Sequence, residues 1–226
     1  MIAVGRPASR AVLGSAAGVS ALVVVLSVGV HYLAYRLQRA SPGAPPIAAL
    51  TWFDVNAERN VPTAWSTVLL LASALASVLL ALRRDVLGPG WLLVAATAGY
   101  LALDESMELH ERLAPAGSAV AGNALHFAWV VPGAVAAALV GGLLLLRLRR
   151  QPGAVRRGLV TAGSVYLAGA LVLESLSGIV LRRDGARELY IAVTAAEELL
   201  EMLGAALLLA TLVGVLAARE LTEALQ

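Results

Sequence analysis

Carboxylates and imidazoles stand in this chain where apolar helix is otherwise expected. The densest stretch is Asp104-Glu105-Ser106-Met107-Glu108-Leu109-His110-Glu111, which continues an apolar run starting at Trp91. A second group, Glu197-Glu198-Leu199-Leu200-Glu201, lies inside the last hydrophobic segment, and Glu174 stands among apolar and small residues in the segment before it. Ionisable side chains at membrane depth are costly and mark functional sites. At about 100° per residue, Asp104, Glu108 and Glu111 share one helix face, with Glu105 at its edge and His110 pointing away. By the same reckoning Glu197 and Glu201 share a face, with Glu198 at its margin.

Carboxylates gathered at low dielectric need protons, cationic partners or a metal ion. Arg112, Arg182, Arg183 and Arg187 are the nearest cations in sequence. Mixed carboxylate and imidazole ligands suit iron, zinc or manganese, whereas an all-oxygen set suits calcium or magnesium. Helices offering Glu and Glu-x-x-His ligands make di-iron carboxylate centres. Here Glu105-x-x-Glu108 and Glu198-x-x-Glu201 occur without Glu-x-x-His, and His126 or His31 could supply the missing nitrogen, His126 ahead of the other. The expectation is a divalent metal held by Asp104, Glu108, His126, Glu197 and Glu201, with Glu105, Glu111 and Glu174 as proton-transfer groups. A structural network of protonated acids and ion pairs is the alternative.

Other polar residues have plainer readings. His31, beside Tyr32 and Tyr35, suits a membrane interface, and Asp54 and Glu58 read as a solvated turn because the glycine and terminal glutamate of a calcium loop are missing. The chain has no Gly-x-Ser-x-Gly elbow, Walker loop or His-Glu-x-x-His, and Ser106, Ser175 and Ser177 have no evident histidine partner. Without cysteine, disulfides and thiolate chemistry are excluded.

The elements that must position these groups are membrane helices. The 226 residues are 59% hydrophobic, with a mean hydropathy of +0.81, which places the chain among integral membrane proteins. Six segments are long enough to cross a hydrocarbon core of roughly 30 Å: residues 11–35, 61–82, 91–110, 125–146, 158–181 and 190–217. The first is too long for a cleaved signal peptide and carries His31-Tyr32-Leu33 where a small-residue cleavage site would stand. With the N-terminus inside, ten arginines fall on cytoplasmic segments and seven on outer ones, and residues 147–157 form a dense basic loop. The expected fold is all-α, a single domain over residues 1–226 built as a six-helix transmembrane bundle, N-in and C-in.

Alternation through the bilayer then brings His31, Asp104 to Glu111, His126, Glu174 and Glu197 to Glu201 to one side, the outer face in this orientation. Residues 36–60 form the one long outer loop: a Pro/Gly-rich turn, an interfacial apolar run at 47–53, and an Asp54-to-Asn60 turn. Asp104-Glu105-x-x-Glu108 echoes Glu197-Glu198-x-x-Glu201, and each follows a short loop with Asp and Gly, at 85–88 and 184–185. A 3+3 inverted repeat, as in secondary transporters, would give that pattern, although carrier sites lie nearer the midplane. Coincidence in a Leu/Ala/Glu-rich text would give it too.

Three stretches carry a resemblance: Trp52-Phe53-Asp54-Val55-Asn56-Ala57-Glu58-Arg59-Asn60-Val61-Pro62-Thr63, Leu103-Asp104-Glu105 with His110-Glu111, and Glu197-Glu198-Leu199-Leu200-Glu201-Met202-Leu203-Gly204. They resemble a group of uncharacterised bacterial multi-pass membrane proteins. That resemblance covers Trp52 to Gly204 and implies the multi-pass fold without an activity. The Glu-x-x-Glu pairs are faintly similar to those of membrane iron permeases. Those carry arginine before the first glutamate, where Asp104 and Glu197 stand here.

All seventeen basic residues are arginine in an Ala/Leu-rich chain, a coding bias that points to a bacterial inner (cytoplasmic) membrane. The net charge of +2 gives no reason to expect nucleic acid. Partners are the lipid bilayer, a metal ion and an amphiphilic substrate, with no protein partner indicated. The leading functional expectation is a membrane-embedded metalloenzyme acting on a lipid or other amphiphile. A cation or proton-coupled transporter and a non-catalytic subunit of a larger complex are the alternatives.

Overall fold

The computed structural model describes residues 6–41, 43, 45, 47–83, 88–122, 124–183 and 187–224. Helices form where apolar runs lack interior breakers. They are α1 (Arg6–Ala40), α2 (Ala48–Phe53), α3 (Val61–Leu82), α4 (Pro89–Met107), α5 (Ala114–Ala121), α6 (Val130–Leu148), α7 (Gly153–Leu167), α8 (Glu174–Leu181) and α9 (Arg187–Glu223). A 3₁₀ turn, His110–Leu113, follows α4, and a π-helical segment, Ala168–Leu173, joins α7 to α8 into one rod. No strand occurs among the described residues.

Five stretches are long and apolar enough to cross a membrane: Pro7–Ala40, Val61–Leu82, Val130–Leu148, Gly153–Leu181 and Arg187–Leu221. This is the make-up of a multi-pass membrane protein. The expected third span is the exception. Its helix, α4, has 19 residues, but the polar Asp104, Glu105 and Ser106 in its last turns lower its hydropathy. The expected fourth span also begins late. Residues 124–129 are turn rather than helix, so His126 lies before α6 and not one turn inside it. Phe127 there packs against the bare face of Gly178, where a Cβ would come within 2.9 Å of the ring.

Residue size sorts the bundle inside out relative to a water-soluble protein. Leu22, Val25, Leu75, Val135, Leu139 and Val172 face outward, whereas Ser20, Ser27, Ser66, Ser73 and Ser77 are buried between helices. Lipid tails solvate leucine as well as a protein interior does, so close packing of small residues holds the helices together. Ser20 and Ser73 are satisfied within the bundle: Ser20 donates to Ala16 O and accepts from Trp65 Nε1, and Ser73 donates to Leu69 O. The long helix α9 is the hub, packing on α1, α3, α7, the π segment and α8, while α4 packs chiefly along α3. At the end away from the acids, Leu80, Trp91, Val94, Leu148, Leu159 and Leu212 form one apolar cluster.

Residues 54–60 close the opposite, acid end. Asn60 is the N-cap of α3: its Oδ1 accepts from Thr63 N at 3.2 Å, and its Nδ2 donates to Asp54 O and Ala57 O at 2.6 Å each. Val55 is buried and donates its N–H to Ser27 Oγ of α1 at 3.1 Å. His31 Nε2 stands 3.5 Å from Asp54 Oδ2, so this histidine pins the loop to α1 rather than merely marking an interface. Tyr190 of α9 reaches Asn56 Oδ1 at 3.1 Å. The expected solvated turn is therefore a knotted cap tying α1, α3 and α9 together.

Candidate functional site

The helix carrying the first acid group stops early. Glu108 adopts a left-handed conformation (φ 53°, ψ 44°), and its N–H closes α4 on Asp104 O at 2.8 Å. A non-glycine residue takes that conformation at a cost of roughly 1–2 kcal/mol, so the turn is held by its surroundings. The 100° periodicity fails beyond Met107 for this reason. His110, expected to point away, comes back: its N–H donates to Asp104 Oδ1 at 2.6 Å, and its Nδ1 lies 3.0 Å from Asp104 Oδ2. Glu111 leaves the expected common face for the exposed side of the 3₁₀ turn. Glu108 neighbours Glu58.

From His110 a chain of contacts crosses to the other half of the bundle. The imidazole stacks on Trp129 with ring centres 4.4 Å apart, and Trp129 Nε1 donates to Glu174 Oε1 at 3.1 Å. Glu174 faces Glu197 of α9 at hydrogen-bonding range. Glu197 is 6% exposed, and its Oε2 has no hydrogen-bond partner. One turn further along α9, Glu201 meets the hydroxyl of Tyr166 and lies within electrostatic reach of Glu105 and Glu174. Glu198 is within reach of Glu105, Glu201, Glu197 and Glu58.

Two glycines permit this closeness. A Cβ on Gly169, in the π segment, would come within 2.7 Å of Glu201 Cγ, and one on Gly204 within 2.6 Å of Tyr166 N. The π segment adds a residue to the turn before Glu174, and such segments recur at functional sites because they re-aim the side chains that follow.

Two groups at the loop end have shifted proton affinity. Glu58 is exposed as a residue, but its carboxyl turns in against Thr63 Oγ1 at 3.4 Å, so its charged end is less hydrated than its stem. Burial of that end, then the nearby Glu108 charge, push its pKa up to about 7 against partial relief from His110 and Thr63. For His110, burial disfavours the charged ring, but the hydrogen bond and charge of Asp104, backed by Glu174 and Glu111, outweigh it and raise the pKa.

Each expected metal ligand has its own nearest partners, although Asp104 lies within electrostatic reach of Glu201. Asp104 is engaged by His110, Glu108 borders Glu58, Glu197 and Glu201 face Glu174 and Tyr166, and His126 packs edge-on against Phe127 with ring centres 4.7 Å apart. Among the described residues, no three His, Asp or Glu side chains are arranged to hold a metal ion. Of the arginines expected to compensate the acids, Arg182 instead donates to Ala124 O; Arg83, outside that set, pairs with Glu220. The two echoing acid stretches differ in position, the first ending a helix and the second lying inside α9; the residue 85–87 and 184–185 parts of the expected repeat fall outside the described residues.

Tyr166, Trp129, Glu198 and Glu58 belong to this region without having been singled out as site residues by the sequence. The signal available was polar need: a tyrosine mid-span and a tryptophan at a span's start each require a partner when buried.

Comparison with curated proteins and with solved structures gives no match. A family model described as a domain of unknown function, DUF8692, matches residues 16–215 and so takes in every acid discussed above except Glu220 and Glu223. Over nearly its whole length, then, the chain is a member of the DUF8692 family.

Proposed function

We propose that the protein is a proton-coupled membrane transporter whose proton-binding centre is the Glu174–Glu197 pair with Glu201 and Tyr166. The observation that carries this reading is the facing of Glu174 and Glu197 in a site where Glu197 is 6% exposed and one of its oxygens lacks a partner. Two carboxyls at that range need a proton, a cation or separation, because like charges a few ångströms apart at low dielectric repel by several kcal/mol. Among the described residues no arginine meets them and no three-ligand metal arrangement is found. A shared proton meets that need. Glu58, with its pKa near 7 and an exposed surface, is the entry group. Glu105 and Glu198 lie between it and Glu201. Protons pass along this series as each carboxyl accepts one and releases one, with no other bond made or broken. The π segment beside Gly169 is the element positioned to couple proton occupancy at Glu197 and Glu201 to movement of α8.

The test uses the purified protein in proteoliposomes under an imposed pH gradient, with proton flux read by an entrapped dye. Glu197→Gln and Glu201→Gln should each reduce flux by roughly a hundredfold, the order by which a positioned proton-transfer group matters. Flux unchanged in Glu197→Gln overturns the reading. Stoichiometric metal in the wild type that is lost in Glu108→Ala and Glu201→Ala overturns it as well, in favour of the metalloenzyme.

A further inference from the structure

A second site lies beside the acids but has the opposite character. A cavity of ≈ 290 Å³ opens between the turn before α6 and the end of α8, lined among others by Leu125, His126, Phe127, Ile179, Arg182 and Arg183. Among the described residues no acid lines it, although this end of the molecule holds most of the chain's carboxylates. Arg182 donates to Ala124 O at 3.1 Å, and among the described residues the rest of its guanidinium fork has no other hydrogen-bond partner. Arg183 is exposed. A cation at the C-terminal end of a helix is favourable by itself, and that accounts for arginine following Leu181. It does not account for a cavity of this size walled by two guanidinium groups, an imidazole and apolar side chains.

From the site's chemistry we infer that this cavity binds the phosphate-bearing headgroup of an anionic membrane lipid. Guanidinium forks match phosphate oxygens in pairs, and the exposed His126 adds a further donor. The apolar walls continue outward. Leu176 and Ile179, on one side of α8, are 41% and 48% exposed, giving an acyl chain a surface to follow from the headgroup into the bilayer. A free phosphate ion would use the arginines and leave that surface unused, which is why the lipid is the chosen source. The inference rests on this cavity and not on the proton-transfer reading, and either stands without the other.

The experiment titrates the full chain in a mild detergent with dioctanoyl phosphatidylglycerol, dioctanoyl phosphatidylcholine and inorganic phosphate, reading heat or thermal stabilisation. Phosphatidylglycerol should bind saturably and more tightly than the other two. Arg183→Gln should weaken it by about tenfold, as expected for loss of one charge-assisted contact. Arg183 is exposed and has no described side-chain partner, so this variant should keep the wild-type melting temperature, whereas Arg182→Gln also loosens the Ala124 contact. Equal affinity for phosphatidylglycerol and phosphatidylcholine, or affinity unchanged in both arginine variants, overturns the site. Inorganic phosphate binding as tightly as phosphatidylglycerol overturns the lipid as its ligand.

Discussion

Gly204→Ala tests the close approach on which the buried site depends. The added Cβ would lie 2.6 Å from Tyr166 N, 2.7 Å from its Cβ and 2.8 Å from its Cα. Because two of these atoms are backbone, no side-chain rotation relieves the contact, and α7 must move from α9 by about 0.8 Å to restore an ordinary 3.4 Å separation. Overpacking of this kind costs about 1–3 kcal/mol, and contact with backbone places it at the upper end. Alanine returns about 1 kcal/mol of helix propensity, leaving a net loss of about 2 kcal/mol. At roughly 2–4 °C per kcal/mol for a chain of this size, the melting temperature should fall by roughly 4–8 °C. Gly142→Ala on α6 is the control, since nothing lies within 4 Å of its added Cβ, and it should melt at or slightly above the wild type. The assay is thermal unfolding of both variants in the same detergent, followed by proton flux, because the same movement draws Tyr166 from Glu201. A Gly204→Ala protein that melts with Gly142→Ala would refute the packing argument and the tight Tyr166–Glu201 geometry with it.

Three further outcomes follow from the loop end of the bundle. Asn60→Ala removes the α3 cap and the amide donors to Asp54 O and Ala57 O; it should cost about 2–3 kcal/mol, read as a lower melting temperature, and an unchanged value would contradict the knotted cap. Glu58 has a folded pKa of about 7 against 4.5 unfolded, so its contribution is fully present below 4.5 and is lost as pH rises through about 7. Protection factors for amide exchange at Val55 and Thr63, corrected for the intrinsic rise of exchange with pH, should fall across that range in the wild type and stay flat in Glu58→Gln; equal profiles would remove Glu58 as the cause. His110 also has a raised pKa, so its stabilisation is complete below the ordinary imidazole value and fades above it. Protonated imidazole stacked on Trp129 should quench fluorescence, giving a signal that grows with pH, is lost in Trp129→Phe and shifts to lower pH in Asp104→Asn.

Helix class was legible because hydropathy reports burial in lipid directly, and α3 was expected at 61–82 and is found at Val61–Leu82. The longest helices were less so. The last span was expected at 190–217, but α9 runs from Arg187 to Glu223, because a helix that leaves the apolar zone keeps its hydrogen bonds while losing the signal used to find it. Within the site, face arithmetic served for Glu197 and Glu201, which sit inside an uninterrupted helix. It failed for Glu108, His110 and Glu111, since no glycine or proline announces the left-handed turn at Glu108. The π segment was invisible for a related reason: Ala-Gly-Ala-Leu-Val-Leu suits an α-helix equally well, and the register is set by Glu201 and Glu197 O lying against Gly169. Trp129 and Glu174 are 45 residues apart, a pairing no local pattern encodes.

Whether α4 crosses the bilayer decides on which side α9 ends, and its packing is compatible with the expected sixth crossing. Its 19 residues span about 28 Å at 1.5 Å each, close to the roughly 30 Å hydrocarbon core. It runs against α3 along its whole length: Trp91 near its start joins Leu80 in one cluster, and Ser106 near its end meets Thr67 of α3 at 3.0 Å. A helix lying on the membrane surface could not make both contacts with a helix that spans. Its two sides also differ as a spanning helix requires, with Trp91, Ala95, Ala98 and Ala102 buried and Leu92, Tyr100, Leu103 and Met107 exposed. The acids that lower its hydropathy carry no lipid-facing penalty, because Asp104 is turned to His110 and Glu105 toward Glu58 and Glu198. Reporters joined at the start of α1 and the end of α9 should therefore lie on the same side of the membrane. Opposite sides would mean five crossings, and α4 would have to leave α3 to allow it.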